Sequence, residues 1–167
     1  MSVSAAPTMA PLSADLEHSP RETILDASAR CFMEHGFKAT SIDDIARRLG
    51  ATKGMVYHYL DSKSDLFFEI HQRAMDALVQ AVDPEVRRRA PALERLHGMA
   101  RRHVETLIET QHYQRAVVEG VQMHLRVSTT EAQRQRLMQL QDRRRRYEQV
   151  FLKVLNQGID EGDLDAT

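Results

Sequence analysis

Two lysines stand where folding alone gains little from them. Lys53 and Lys63 each follow a residue suited to cap a helix, Thr52 and Ser62. Each therefore puts a cation at the positive end of a helix dipole, a placement that costs roughly 0.3–1 kcal/mol on an exposed surface. A phosphate docked at such a helix start would receive backbone N–H groups, the dipole and the ammonium together. These are two of only four lysines in a chain that otherwise uses arginine. Between them stand Tyr57, His58 and Tyr59, three amphipathic rings on a helix of about two turns. Helical spacing cannot bury all three. One is expected to be core with its polar atom at the surface, leaving the others to reach phosphate oxygens or base edges. The chemistry these residues predict is nucleic-acid recognition.

A run of short helices must position them. Ser19-Pro20-Arg21-Glu22 combines a capping Ser, a Pro at the first helical position and a Glu three residues after the cap. Ile24, Leu25, Ser28, Cys31 and Phe32 then recur at helical spacing, and His35-Gly36 supplies the stop. Thr40-Ser41 opens a second helix with Asp43 and Asp44 in its first turn and Ile42, Ile45, Ala46 and Leu49 as its buried stripe. Gly50 ends it, and Thr52 begins a third helix almost at once. Two short helices joined by a Gly-containing turn of about three to four residues form a helix-turn-helix, whose second helix can enter a DNA major groove.

Ser62-Lys63-Ser64-Asp65 caps a longer helix predicted to run to about Val82, before a break at Asp83-Pro84. Helices are expected over Ala92–Thr110 and Tyr113–Val127, and a long one from Thr129-Thr130-Glu131 to the Gly158–Gly162 region. On the last, Leu137, Leu140, Tyr147, Phe151 and Val154 form a packing seam interrupted by Arg144, which would have to turn inward. Residues 1–18, rich in Ala, Ser and Pro without periodicity, read as a mobile tail. The expected organisation is a tail over 1–18, a helix-turn-helix module with its linking helix over 19–82, and a second helical module over 83–167.

Composition agrees with an all-α fold. The 167 residues are 42% hydrophobic and 28% charged, with 7 Gly, 5 Pro, no Trp and 5% aromatics, which suits a helical core better than a many-turned β protein. A net charge of −1 hides an asymmetry. Residues 1–83 carry 8 Lys and Arg against 12 Asp and Glu, whereas residues 84–167 carry 15 against 12. A DNA-binding module is usually basic, but the balance that matters is local. Residues 38–63 hold Lys38, Arg47, Arg48, Lys53 and Lys63 against Asp43, Asp44 and Asp61. The single cysteine, Cys31, sits in a helical apolar stripe and reads as a small buried hydrophobe. Apolar runs such as Leu66-Phe67-Phe68 are far too short to span a membrane, and the N-terminus has no basic start and apolar block of a signal peptide, so a cytoplasmic location is expected.

No catalytic residues and no cofactor are expected. His-Glu-x-x-His, Cys-based zinc spacing, P-loop and Gly-x-Ser-x-Gly patterns are all missing. A carboxylate-bridged metal bundle needs two Glu-x-x-His pairs on separate helices plus two further Glu, and Glu94-Arg95-Leu96-His97 has the spacing of such a pair. That enzyme and a helical protein-interaction module that does not bind DNA are the alternatives.

The stretch from Arg21 to Leu66 resembles the DNA-binding domain of the TetR (tetracycline-repressor) family of bacterial regulators. The resemblance runs through Ala27–Phe32, Gly36-Phe37, Thr40-Ser41-Ile42-Asp43-Asp44-Ile45-Ala46, Leu49-Gly50 and Lys53-Gly54-Met55-Val56-Tyr57-His58-Tyr59, with Lys63 and Leu66 behind. Leu60 stands where the family usually has Phe, a core change of similar character. The resemblance implies a repressor whose first three helices bind operator DNA and whose remaining helices bind a small-molecule effector. Thr40 and Tyr57 would contact phosphates. Thr52, Lys53, Gly54 and His58 would lie at the groove, with Ser41 and Tyr59 beside them, and Lys63 would clamp the DNA backbone. The later helices look like those of members sensing acyl-CoA thioesters or aromatic and hydrophobic acids. Candidate polar groups for such a pocket are His103, His112, Arg115, His124 and Arg144. The resemblance also implies a homodimer reading a palindrome through two helices after the long seventh one. The sequence ends at Asp163-Leu164-Asp165-Ala166-Thr167, where these would start, so either the gene product is short or a longer one has been truncated.

Overall fold

A computed structural model describes the backbone of residues 19–126 and 130–164, and the side chains of 19–118 and 130–164. Among the described residues seven helices follow one another: α1 (Pro20–His35), α2 (Ile42–Arg48), α3 (Lys53–Tyr59), α4 (Lys63–Arg87), α5 (Ala92–Glu109), α6 (Gln111–Arg126) and α7 (Glu131–Asp160). The fold is all-α, as the composition predicts. The expected tail over 1–18 lies outside the described residues, as does Val127.

Local chemistry sets the helix starts. The Ser19 hydroxyl accepts from Glu22 N while the Glu22 carboxylate accepts from Ser19 N, and Ser41 and Asp44 repeat the exchange at α2. Thr52 Oγ1 accepts from Met55 N at α3, and Ser62 Oγ accepts from Asp65 N at α4. Gly50 turns the chain between α2 and α3 at φ +62°, a conformation that L side chains adopt only at a cost.

Two cores share two long helices. In the first, α1, α2 and α3 close over Phe32, Phe37, Ile45, Val56, Leu66 and Phe67, joined by Ala116 of α6 and Leu137 of α7. The second gathers Met75, Leu78 and Val82 of α4 with Ala92, Met99, Tyr147 and Val154. Both α4 and α7 pass through both cores, so a displacement at one end of either helix reaches the other. Cys31 is buried, in the role its stripe predicts.

The expected break at Asp83-Pro84 is not there. α4 continues through Pro84 to Arg87, although the proline has no N–H to bond the carbonyl one turn back and its ring crowds that carbonyl. Tertiary contacts offset that cost: Val82 and Val86 pack in the second core, and Arg95 Nη2 donates to Val86 O at 2.5 Å.

Where α7 meets the start of α5, a glycine is required by space. A Cβ on buried Gly158 would lie 2.5 Å from Ala92 Cβ and 2.8 Å from Leu164 Cδ1. Ala92 cannot yield easily, because it is fully buried and its N–H donates to Asp163 Oδ2 at 3.0 Å. Gly158→Ala is expected to lower stability by about 1–3 kcal/mol through overpacking, against the gain that Gly→Ala usually brings inside a helix. Urea titration measures it, and a variant as stable as the wild type would contradict the packing described.

Candidate nucleic-acid interface

α3 is seven residues long, and only Val56 among them is buried. The ring expected to be core is not: Tyr57 is 46% exposed, Tyr59 is 36% exposed and His58 is exposed, its ring edge-on to Tyr59 at 5.1 Å. Val56 of α3 and Leu60 just after it are buried in the core, while all three rings stay at the surface. A cluster of exposed aromatic surface marks an interaction site. Gly54 is exposed as well, and a Cβ built on it would meet only Thr52 Oγ1, at 3.9 Å.

The cations around α3 are paired within the chain. Lys53 Nζ donates to Asp43 Oδ2 at 3.0 Å, and this bond raises the lysine pKa. Arg47 pairs with Asp44 at 3.1 Å, and Arg48 grips both oxygens of Glu34 at 2.6 and 2.9 Å. These pairs lie at the surface, where an ion pair is worth about 0–1 kcal/mol. Their cations can therefore exchange a carboxylate for a phosphate at little cost. Ser41 Oγ donates to Asp44 Oδ2 at 2.6 Å and Thr52 Oγ1 accepts the α3 cap bond, yet both residues stay exposed.

Two expected phosphate contacts have other duties. Thr40 is 1% exposed, and its hydroxyl donates toward Gly36 O at 2.8 Å and Cys31 O at 3.1 Å, so its side chain holds the corner between α1 and α2. Lys63 Nζ donates to Phe37 O and Thr40 O, each at 2.9 Å, lies 3.5 Å from Lys38 O, and sits 4.6 Å from the centre of the Phe37 ring. Burial pushes its pKa down. With its three N–H groups turned to backbone oxygens, Lys63 fastens α4 to the α1–α2 corner and so positions the helix-turn-helix. Lys63→Met is expected to cost about 1–3 kcal/mol of stability, since bonds to a charged donor are among the stronger ones. It should leave the salt dependence of DNA binding unchanged. A slope reduced by about one, at unchanged stability, would return Lys63 to the phosphate contacts.

The other candidate group divides. A cavity of about 670 Å³ opens between α4, α5, α6 and α7, with His103 and Arg144 on its wall. Tyr147 Oη, whose burial lifts its pKa to about 12, hydrogen-bonds His103 Nδ1 at 2.8 Å, and burial also lowers the His103 pKa. Arg144 does not turn inward. Its side chain is 72% exposed at the rim and pairs with Glu148 at 3.0 Å. The arginine that reaches across to α4 is its neighbour Arg143, bound to Asp76, because the register of α7 turns position 143 toward α4. His112 lies elsewhere, between α6 and α1, where Nε2 donates to Asp26 Oδ1 at 2.8 Å. Burial keeps the His112 pKa below its ordinary value despite that carboxylate. Arg115 is exposed away from the cavity wall, and the His124 side chain lies outside the described residues. Glu94 and His97 have no further metal ligands beside them, and no cluster of three His, Cys, Asp or Glu converges among the described residues.

One cavity residue escaped the sequence reading. His71 is 6% exposed, sits among the apolar positions of α4 and lines the cavity. Burial, and then the charges of Arg144 and Arg143, hold its pKa down to about 4. The signal was present: a histidine four residues after Phe67 and three before Ala74 interrupts an otherwise apolar helix face.

The comparisons agree with this geometry. The family model described as bacterial regulatory proteins, tetR family, matches residues 24–70. The HTH-type transcriptional repressor KstR2 of Mycobacterium tuberculosis is 32% identical over 153 residues, covering 89% of this chain and 73% of the relative. The fatty acid metabolism regulator protein of Bacillus subtilis is 24% identical over 141 residues, covering 84% and 69%. The structure of the ketosteroid transcriptional regulator KstR2 of Mycobacterium tuberculosis superposes with a TM-score of 0.74 at 29% identity, over 91% of this chain and 76% of that one. With a helix-turn-helix presenting three exposed rings and a relative of this identity along most of its length, the chain belongs to the TetR family of bacterial transcriptional regulators.

Proposed function

We propose that the chain is a repressor that binds palindromic operator DNA as a homodimer and is released by a hydrophobic effector, an acyl-CoA thioester or an aromatic or hydrophobic acid. The helix-turn-helix of α1 to α3 reads the DNA, and the helices from α4 onward sense the effector. The observation that carries the DNA reading is the exposure of α3. Gly54, Tyr57, His58 and Tyr59 have no task inside the chain that accounts for them, while stacking, phosphate bonding and close groove approach use all four. Thr52, Lys53 and Ser41 flank them and add polar contacts. The effector reading is supported by the cavity, whose wall combines apolar Met75, Leu78, Leu107, Val117 and Phe151 with Arg144, a mixture an amphiphilic anion fits. Names among the relatives point the same way, since one is a fatty acid metabolism regulator protein and another a ketosteroid transcriptional regulator.

Selection of duplexes from a random library by the purified chain tests the proposal. Enrichment of a sequence with two-fold symmetric halves is expected, with affinity falling steeply as salt rises. His58→Ala should change which bases are enriched. A pool that stays random, with no salt-dependent binding, would leave the helix-turn-helix as a protein-docking surface and end the repressor reading.

A further inference from the structure

One acid stands beside α3 on a surface otherwise made of rings and cations. The Asp43 side chain of α2 is 55% exposed and accepts from Lys53 Nζ at 3.0 Å, between two helices of the helix-turn-helix. Lys53 and Tyr57 are one turn apart on α3 and share a face, so the carboxylate lies alongside both. The other acids nearby hold the fold together. Asp44 Oδ2 accepts from Ser41 N and Ser41 Oγ in the α2 cap, and Glu34 of α1 binds Arg48 through both oxygens. Asp43 has Lys53 as its one side-chain partner among the described residues. Its place in the first turn of α2 suits the helix dipole, but Asp44 in the same turn already meets that need. When Lys53 turns to a phosphate, the Asp43 carboxylate is left against a polyanion with nothing to balance it, and a desolvated charge without a partner is costly.

We infer that Asp43 is a specificity-determining residue of the DNA-reading surface, and that its carboxylate accepts from the exocyclic amino group of a cytosine in the bound duplex. This rests on the helix-turn-helix being the DNA-binding unit. In the major groove guanine and thymine present acceptors, which a carboxylate repels, and adenine sets its N7 acceptor beside its amino group. Cytosine presents the N4 donor with no acceptor beside it on the same base. A cytosine therefore satisfies the carboxylate that Lys53 leaves, whereas the other bases leave it stranded. A charge compensated on one sequence and unpaired on the rest discriminates by penalising the wrong partners. In the free protein Lys53 keeps the same carboxylate satisfied, so the penalty arises only on DNA.

Selection from a random duplex library by the wild type, Asp43→Asn and Asp43→Ala, with circular dichroism confirming the fold of each, tests the assignment. The wild-type motif should hold a position where cytosine exceeds thymine by about tenfold, the yield of one hydrogen bond to a charged group. An Asn side chain both donates and accepts, and pairs with adenine N6 and N7, so Asp43→Asn should turn that position to adenine. Asp43→Ala should lose the preference there and bind random-sequence duplex about threefold or more tighter than the wild type, having no charge to strand. In the wild type alone, the cytosines of the motif can be replaced one at a time by pyrimidin-2-one, which lacks the amino group. At one of them this should cost the same factor of about ten. A wild-type motif without a preferred cytosine, a cytosine preference that persists in both variants, or equal binding of every amino-free duplex overturns the assignment while leaving α3 as the reading helix. A library that stays random with the wild type brings down the DNA reading itself, and the assignment with it.

Discussion

Lowering the pH from 7 to 4 is expected to remove about 3 kcal/mol of stability through His71 alone. Its pKa is about 4 in the fold against 6.5 in an exposed chain, and each unit of difference is worth about 1.4 kcal/mol. The sign follows from which state binds the proton. Above 6.5 the imidazole is neutral folded and unfolded, and the contribution is fully present. As pH falls through 6.5 the unfolded chain takes up a proton that the folded chain refuses, so stability drops until about pH 4, where the folded form also protonates. His103 and His112, both lowered by burial, act in the same direction. Many domains have only about 5–15 kcal/mol in total, so mild acid should bring this one close to unfolding. Urea titrations between pH 7 and 4 measure the effect. The stability of wild type relative to His71→Leu should fall by about 3 kcal/mol across that window, and parallel profiles would show that His71 is not held neutral. Carboxylates such as Asp26 and Asp65, whose pKa values lie below the ordinary range, lose their contribution at lower pH still, and do so in both proteins.

Gly54→Ala should make the protein more stable and a poorer DNA binder. Glycine inside a helix gives up as much as about 1 kcal/mol relative to alanine, and a methyl group at this position would meet nothing in the chain nearer than Thr52 Oγ1 at 3.9 Å. Nothing in the fold asks for glycine here. The remaining use for a bare backbone on the outer side of α3 is close approach by something outside the chain, which in the proposed complex is the DNA. Affinity for the selected duplex is expected to drop tenfold or more, equal to at least about 1.4 kcal/mol, while the urea midpoint rises. A variant that binds as tightly as the wild type would remove Gly54 from the interface and weaken the case for α3 as the reading helix. The contrast with Gly158 makes the pair informative. The same substitution should stabilise at position 54, where the new methyl enters solvent, and destabilise at position 158, where it enters Ala92.

The helix starts could be read from the chain because they are local. Ser19 with Glu22, Ser41 with Asp44 and Thr52 before Met55 bond over three residues, and no distant group needs to agree. The Gly50 turn and the apolar stripe of α2 are equally short-range, and together they specify a helix-turn-helix. Local reasoning failed at the end of α4. Pro84 is a breaking signal, but packing of Val82 and Val86 and the Arg95 bond to Val86 carry the helix three residues past it. It failed again at Thr40 and Lys63. A hydroxyl and an ammonium near a DNA-binding motif look available for phosphate until the α1–α2 corner is seen folded over them. On α7, the seam pattern could not tell Arg143 from Arg144, because one residue of helical rotation separates a cross-helix ion pair from the rim.

By itself the sequence determined the all-helical fold, the helix-turn-helix and the cluster of rings on α3, since each rests on spacing and capping within a few residues. Only the tertiary structure decided which polar side chains are free. Thr40 and Lys63 are spent on backbone oxygens brought close by the packing of α1, α2 and α4. His71 is held neutral because the packing of α4 against its neighbours buries it. Whether a donor is satisfied depends on groups far apart in the chain, and those distances come into being only when the helices pack.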